Sequence, residues 1–340
     1  MNSRLINRNR RHLLSRAGSL GALMLGSGIV SGGSPKTAWA QSSWPTKPVR
    51  MVIAFPPGGP TDIVSRIIAA ELARLLGQQV VVENRPGAGG NLGAEQVARA
   101  PADGYTIFYN TSAITIAPAL YSKLNYDTQK DFAAVGLAAT VPLVLVINPQ
   151  VPAKDLKEFV AWAKTQQGQI NYGSSGSGTI THLAAAQLAK DAGFAATHVP
   201  YKGSAPGMLD LASGQVQFMV DTINSTLPMI RDGRLRALAV ATSKRSSVLS
   251  ELPTIAESLI PGFEMSAWQG IVVPAGTPAA IISKLNSELQ KVLANPEVRK
   301  KLLATGTEIL GGTPEQYSQY LQSELRRFSR LAREAGARVD

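Results

Sequence analysis

Two stretches of this chain place residue types in an order that does chemistry. The first, Phe55-Pro56-Pro57-Gly58-Gly59-Pro60-Thr61-Asp62, joins an apolar strand pattern at 49–55 to a helical one in which Ile63, Ile67, Ile68, Leu72 and Leu75 recur. Gly58 and Gly59 expose backbone N–H groups with no Cβ in the way, Thr61 or Asp62 can cap, and the helix dipole adds partial positive charge. Such a loop cradles an anion, either a carboxylate or a phosphate. The second stretch, Gly173-Ser174-Ser175-Gly176-Ser177-Gly178-Thr179, offers backbone N–H groups and hydroxyls that satisfy the oxygens of an anion in a desolvated cleft.

The second stretch, and a third glycine run, fail the rules of the catalytic motifs they resemble. Gly87-Ala88-Gly89-Gly90-Asn91-Leu92 has Leu92 where a dinucleotide fingerprint needs its last glycine, so no nucleotide cofactor is expected. Thr179 stands where a phosphate-binding loop needs lysine, and Ser177 where a nucleophile elbow needs its closing glycine. An exported serine hydrolase using Ser175 or Ser177 with His182 or His198 and Asp221 is the alternative reading of the 173–179 loop. With two histidines beyond the leader and no cysteine, a metal site has little material, and the expectation is a binding protein, not an enzyme.

These loops sit between strand patterns at 49–55, 79–84, 105–110, 143–148, 169–173, 197–201, 216–220 and 236–241 and helix patterns at 61–76, 91–99, 154–166, 179–191, 204–212 and 224–232. Alternating strands and helices predict parallel sheets covered by helices, an α/β architecture. Three further helices are expected at 278–293, 295–304 and 314–336. The apolar run 133–147 carries the chain from one lobe to another and Trp268–Val273 brings it back. Two Rossmann-like lobes result: lobe 1 from 41–146 plus 270–340 and lobe 2 from 147–269, with two crossovers, a hinge and a ligand cleft between them.

Five arginines from Arg4 to Arg16, a weakly apolar run from Ala17 to Val30 and Ala38-Trp39-Ala40 read as an export signal at 1–40, cleaved after Ala40. The Arg10-Arg11 pair admits the twin-arginine route as well as the general secretory one. The formal charge of +11 is inflated by six basic residues in this segment; without them 28 basic residues face 23 acidic ones, scattered along the chain. No nucleic-acid partner is implied.

The chain resembles the periplasmic solute-binding proteins of the tripartite tricarboxylate transporters, the Bug family. The resemblance is carried by Phe55–Asp62 with Arg66, Val82-Glu83-Asn84-Arg85-Pro86-Gly87-Ala88-Gly89-Gly90, Ala102-Asp103-Gly104-Tyr105-Thr106, Asn171-Tyr172-Gly173-Ser174, Val199-Pro200-Tyr201-Lys202-Gly203 and Pro274–Pro278. It implies a periplasmic, monomeric protein with a type II-like two-lobed fold, closing on a small organic anion and handing it to a two-subunit integral membrane permease. It also implies that the first loop, through Pro57, Gly58, Gly59, Thr61 and Asp62, holds a ligand carboxylate, with Phe55 as an apolar wall. Thr61 is the expected direct donor, and Asp62, awkward beside a carboxylate, is expected at the N-cap, orienting the loop. Asn110, Thr111 and Ser112 follow the third strand. Ser175, Ser177, Gly178, Thr179, Asp221 and Thr222 complete the pocket from lobe 2. An inward-facing Asp221 favours a ligand ammonium or hydroxyl, whereas an outward one caps the helix near 224–232. Tyr201 and Trp268 are candidate walls for an aromatic acid.

Overall fold

The structure, a computed structural model, describes residues 44–335, so the export signal and its cleavage point lie outside the described residues. In chain order the elements are β1 (Val49–Ile53), α1 (Pro60–Leu76), β2 (Val80–Asn84), α2 (Asn91–Ala98), β3 (Thr106–Thr111), α3 (Ala113–Leu120), β4 (Phe132–Ile147), α4 (Leu156–Thr165), β5 (Asn171–Ser174), α5 (Ile180–Ala192) and β6 (Thr197–Pro200). They continue as α6 (Ser204–Ser213), β7 (Phe218–Thr222), α7 (Ile223–Arg231), β8 (Arg236–Val240), α8 (Ile255–Ser258), β9 (Ser266–Pro274), α9 (Ala279–Ala294), α10 (Pro296–Ala304), β10 (Glu308–Ile309) and α11 (Pro314–Ala335).

The sheet is mixed, not purely parallel. β2, β1 and β3 run parallel, then β9 joins β3 and β4 antiparallel. β4 is sixteen residues long and almost entirely buried, because consecutive apolar residues cover both of its faces. Its first part pairs with β9 as far as Pro142↔Ser266; from Leu143 onward it takes β7 on one side and β8 on the other, with β5 and β6 following parallel. The expected short strand at 143–148 is thus the second half of one strand that starts at Phe132 and joins two sets of strands. The chain returns where the Met265 N–H donates to the Ala241 carbonyl at 2.7 Å and β9 begins.

Outer helices such as α1 bury one stripe, whereas α3 and α5 are buried almost all round. In α1 that stripe is Val64, Ile68, Leu72 and Leu76, spaced by four residues; each such residue fully buried contributes roughly 1.5–3 kcal/mol of transfer free energy. Ile63, expected on this face, lies 37% exposed one step around the helix. α11 is charged on its outer side yet buries Tyr317, Leu321, Phe328 and Ala332. It packs on α3 and β4, which explains why the C-terminal helices cover a sheet built earlier in the chain.

Candidate functional site

Where strands end and helices begin, the fold gathers five helix N-termini around one cavity of about 100 Å³. Their capping residues, Gly59 of α1, Ser112 of α3, Thr179 of α5, Gly203 of α6 and Thr222 of α7, all line it. The first-turn N–H groups of a helix have no partner within the helix, so each junction presents donors and partial positive charge. The lining is otherwise apolar or hydroxylic, with Phe55, Pro57, Thr61, Ser175, Thr181, Ser204 and Gln269 among it. Among the described residues Lys202 is its single cation and Asp221 its single acid.

The α1 junction is built by backbone. Pro60 occupies the first helical position, where a missing N–H costs nothing, and Gly59 is the cap without a side-chain bond. Asp62 is therefore not the N-cap expected from the sequence; it sits three residues past the cap, in the first turn, and turns away from the cavity. Its carboxylate accepts from the Gly58 N–H, Arg66 Nε and Asn84 Nδ2, each at 2.9 Å. Burial pushes this carboxyl up, but those hydrogen bonds outweigh it and hold Asp62 below the usual carboxylate range. Gly58, at φ 75°, makes the turn that brings its N–H to Asp62, so it shapes the loop and does not line the cavity. Thr61 is buried and lines it.

The opposite wall is built by side chains. Thr179 accepts from the His182 N–H, while its hydroxyl and those of Ser175 and Thr181 form a hydrogen-bonded trio at 2.9–3.2 Å. Ser175 and Thr179 line the cavity, but Ser177 and Gly178 fall outside it. The Ser177 carbonyl accepts from Tyr121 Oη at 3.0 Å and the Gly178 N–H donates to His182 Nδ1 at 3.3 Å, and Ser177 lines a second chamber beside the first. There Gly89, at φ 65°, approaches the Ser177 carbonyl so closely that a Cβ would stand 2.3 Å from it.

Asp221, next to last in β7, has no exposed surface. Its Oδ1 accepts from the Thr222 N–H at 2.6 Å, Ser204 Oγ at 2.9 Å, Ser225 Oγ at 3.0 Å and Thr222 Oγ1 at 3.1 Å. Its Oδ2 has no hydrogen-bond partner among the described residues. Burial pushes this carboxyl up, and the four donors oppose the shift without cancelling it.

Asn110, expected in the pocket, is instead fully buried outside it, and its Oδ1 accepts from Tyr317 Oη at 2.9 Å. Ser112, two residues on, does line the cavity. Trp268 is no ligand wall: its indole N–H donates to Glu324 at 2.9 Å, inside the core under α11. Tyr201 lines the second chamber and donates to Asp210 at 2.7 Å. Thr181, Lys202, Gly203 to Pro206, Ala267 and Gln269 were missed by sequence reasoning. The junction at α6 was findable, since Lys202-Gly203-Ser204 precedes a predicted helix as a small-residue loop.

The histidines do not serve a nucleophile in the cavity. His182 and His198 stack with ring centroids 3.8 Å apart, and His198 Nε2 meets Ser174, a fully buried serine outside the cavity lining, at 2.6 Å. Burial pulls His182 down to about 4, and burial with the neighbouring His182 pulls His198 to about 3, so both rings are neutral at pH 7. The Ser175 hydroxyl is held by threonines instead of histidine.

An α/β protein with a mixed sheet and an enclosed, donor-rich cavity at the convergence of helix N-termini has the architecture of a solute-binding protein. Residues 64–337 match the model of the tripartite tricarboxylate transporter family receptor, and the chain belongs to that family. The UPF0065 protein in the tcbD-tcbE intergenic region of Pseudomonas sp. (strain P51) is 40% identical over 290 residues, covering 85% of this chain and 86% of that protein. Protein BugT of Bordetella pertussis is 35% identical over 299 residues, covering 87% and 92%. Among solved structures, an R. palustris protein with adipate superposes with a TM-score of 0.84 at 37% identity, covering 87% of this chain and 100% of that one. MatC from Rhodopseudomonas palustris with bound malate gives 0.81 at 35%, covering 85% and 99%. The periplasmic binding protein BugD gives 0.83 at 36%, covering 87% and 99%.

Proposed function

We propose that this chain is an exported periplasmic receptor that captures a small organic carboxylate in the cleft and delivers it, chemically unchanged, to a two-subunit integral membrane permease of the tripartite tricarboxylate type. The observation that carries the reading is the convergence of five helix N-termini on one small cavity, with Lys202 as its one cation. Adipate and malate in the related solved structures support a carboxylate as the ligand class.

Binding works by mass action and closure. In this reading the strands β1–β3 and β9 with the first part of β4 belong to one lobe, and β5–β8 with the rest of β4 to the other. An anion bridging donors from both stabilises the closed arrangement, which is the shape the permease reads. The receptor acts as a monomer and needs no metal or cofactor.

A thermal-shift screen of the purified mature chain against mono-, di- and tricarboxylates, followed by calorimetry on the hits, tests the proposal. The expected result is a raised melting temperature with saturable binding and recovery of intact ligand. Absence of any carboxylate-dependent shift, or turnover of an ester substrate that disappears in Ser175→Ala, would overturn it.

A further inference from the structure

We propose that Asp221 Oδ2 accepts a hydrogen bond from a hydroxyl or ammonium group on the ligand, so that the acid captured here is a hydroxy acid or an amino acid and not an unsubstituted carboxylate. The inference rests on the carboxylate-receptor reading and names the substrate class within it.

Asp221 lines the same cavity as the five helix N-termini, is completely buried, and divides its two oxygens unequally. Four donors, one N–H and three hydroxyls, converge on Oδ1. None reaches Oδ2. A buried carboxylate oxygen without a donor costs free energy that a ligand donor recovers on binding. In a cavity whose hydroxyls can turn either way, this bare carboxylate oxygen can only accept, and it selects for a ligand that is itself a donor at that point. A second ligand carboxylate placed there would meet like charge in a desolvated site, which is unfavourable. The α1 junction, with no acid turned inward, takes the carboxylate, and the α7 junction reads the substituent beside it.

The same asymmetry makes Asp221→Asn a discriminating variant. The donors on Oδ1 require an acceptor there, so the asparagine carbonyl takes that place and its NH₂ replaces Oδ2. An acceptor facing the ligand becomes a donor at almost constant shape.

The experiment is calorimetric titration of the full mature chain with matched triplets: succinate, malate and aspartate; glutarate, 2-hydroxyglutarate and glutamate; propionate, lactate and alanine. The expected result is that in at least one triplet the hydroxy or amino acid binds roughly tenfold or more tightly than the unsubstituted acid, and that Asp221→Asn abolishes or reverses this ratio. Equal binding of the unsubstituted acid, or an unchanged ratio in Asp221→Asn, overturns the inference while leaving the carboxylate receptor standing. Binding of no member overturns both. Circular dichroism of the variant, with retained binding of any unsubstituted acid, separates a lost preference from a lost fold.

Discussion

Asp62, in the first turn of α1, and Asp221, next to last in β7 and just before α7, both lie at strand-to-helix junctions, yet their carboxylates have opposite surroundings. Asp62 faces away from the cavity, accepts from Gly58, Arg66 and Asn84, and is held below the usual carboxylate range. Asp221 belongs to the cavity wall, has one oxygen crowded with donors and the other bare, and is pushed up by burial. The first loop presents backbone because its acid is fully employed in shaping it. The second presents a side chain whose unmet demand is a statement about the ligand. Conserving charge at both places would miss this difference; what matters is where each carboxylate's hydrogen bonds go.

The largest effect expected is at the backbone side. Gly59→Asp introduces an acid at the capping position of α1, where it meets the ligand carboxylate, and should weaken binding by roughly a hundredfold or more. Aspartate is a favoured N-cap and a Cβ there meets only the Pro56 carbonyl at 3.4 Å, so the melting temperature should hold or rise. Calorimetry beside a melting curve checks both halves, and undiminished affinity would break the assignment of this loop.

Gly89→Val tests the contact between the two sides. The backbone there is left-handed and a Cβ would press on the Ser177 carbonyl and Tyr121 Oη, so the two loops must separate at a cost of about 1–3 kcal/mol or more. Reduced affinity with a lowered melting temperature is the expected pair of results.

Asp62→Asn should destabilise the protein by about 1–3 kcal/mol through the charge-assisted bonds it weakens, while leaving ligand preference unchanged. Because the folded carboxyl is held low, its contribution is present above the unfolded value of about 3.9 and is lost as pH falls through the folded one. The stability difference between wild type and variant should therefore shrink in acid, as denaturant titrations at several pH values would show.

The smallest effect reverses the sign. Asp221 is raised, so ionising it in the folded state costs stability as pH climbs above the unfolded value of about 3.9. Asp221→Asn should then raise the ligand-free melting temperature at pH 7 by roughly 1–3 °C. If both aspartate variants destabilise equally, the contrast between the junctions fails.

Much of this was legible in the sequence. Turn chemistry and periodicity located most helices to within two or three residues but missed α3 and the short α8, and the loops at 55–62 and 173–179 stood out because glycines and hydroxyls cluster between strand and helix patterns. What periodicity could not see was pairing. Only the second half of β4 was expected as a strand, with 133–147 read as an apolar connection, although one strand from Phe132 to Ile147 passes through both sets of strands. Orientation was equally hidden. Asn110 and Ser112 are two residues apart across the end of β3, where the regular alternation gives way to α3, and only the second reaches the cavity. Asp62 looked like a cap because aspartate before a helix usually is one, but Pro60 starts the helix earlier and moves it inside the first turn.

The central claim is that the helix N-termini hold a carboxylate. A crystal structure of the mature chain soaked with the acid that raises its melting temperature most tests this directly. A ligand carboxylate within hydrogen-bonding distance of the Gly59–Thr61 segment is the predicted result; an acid bound only in another cavity, with this junction empty, would contradict it.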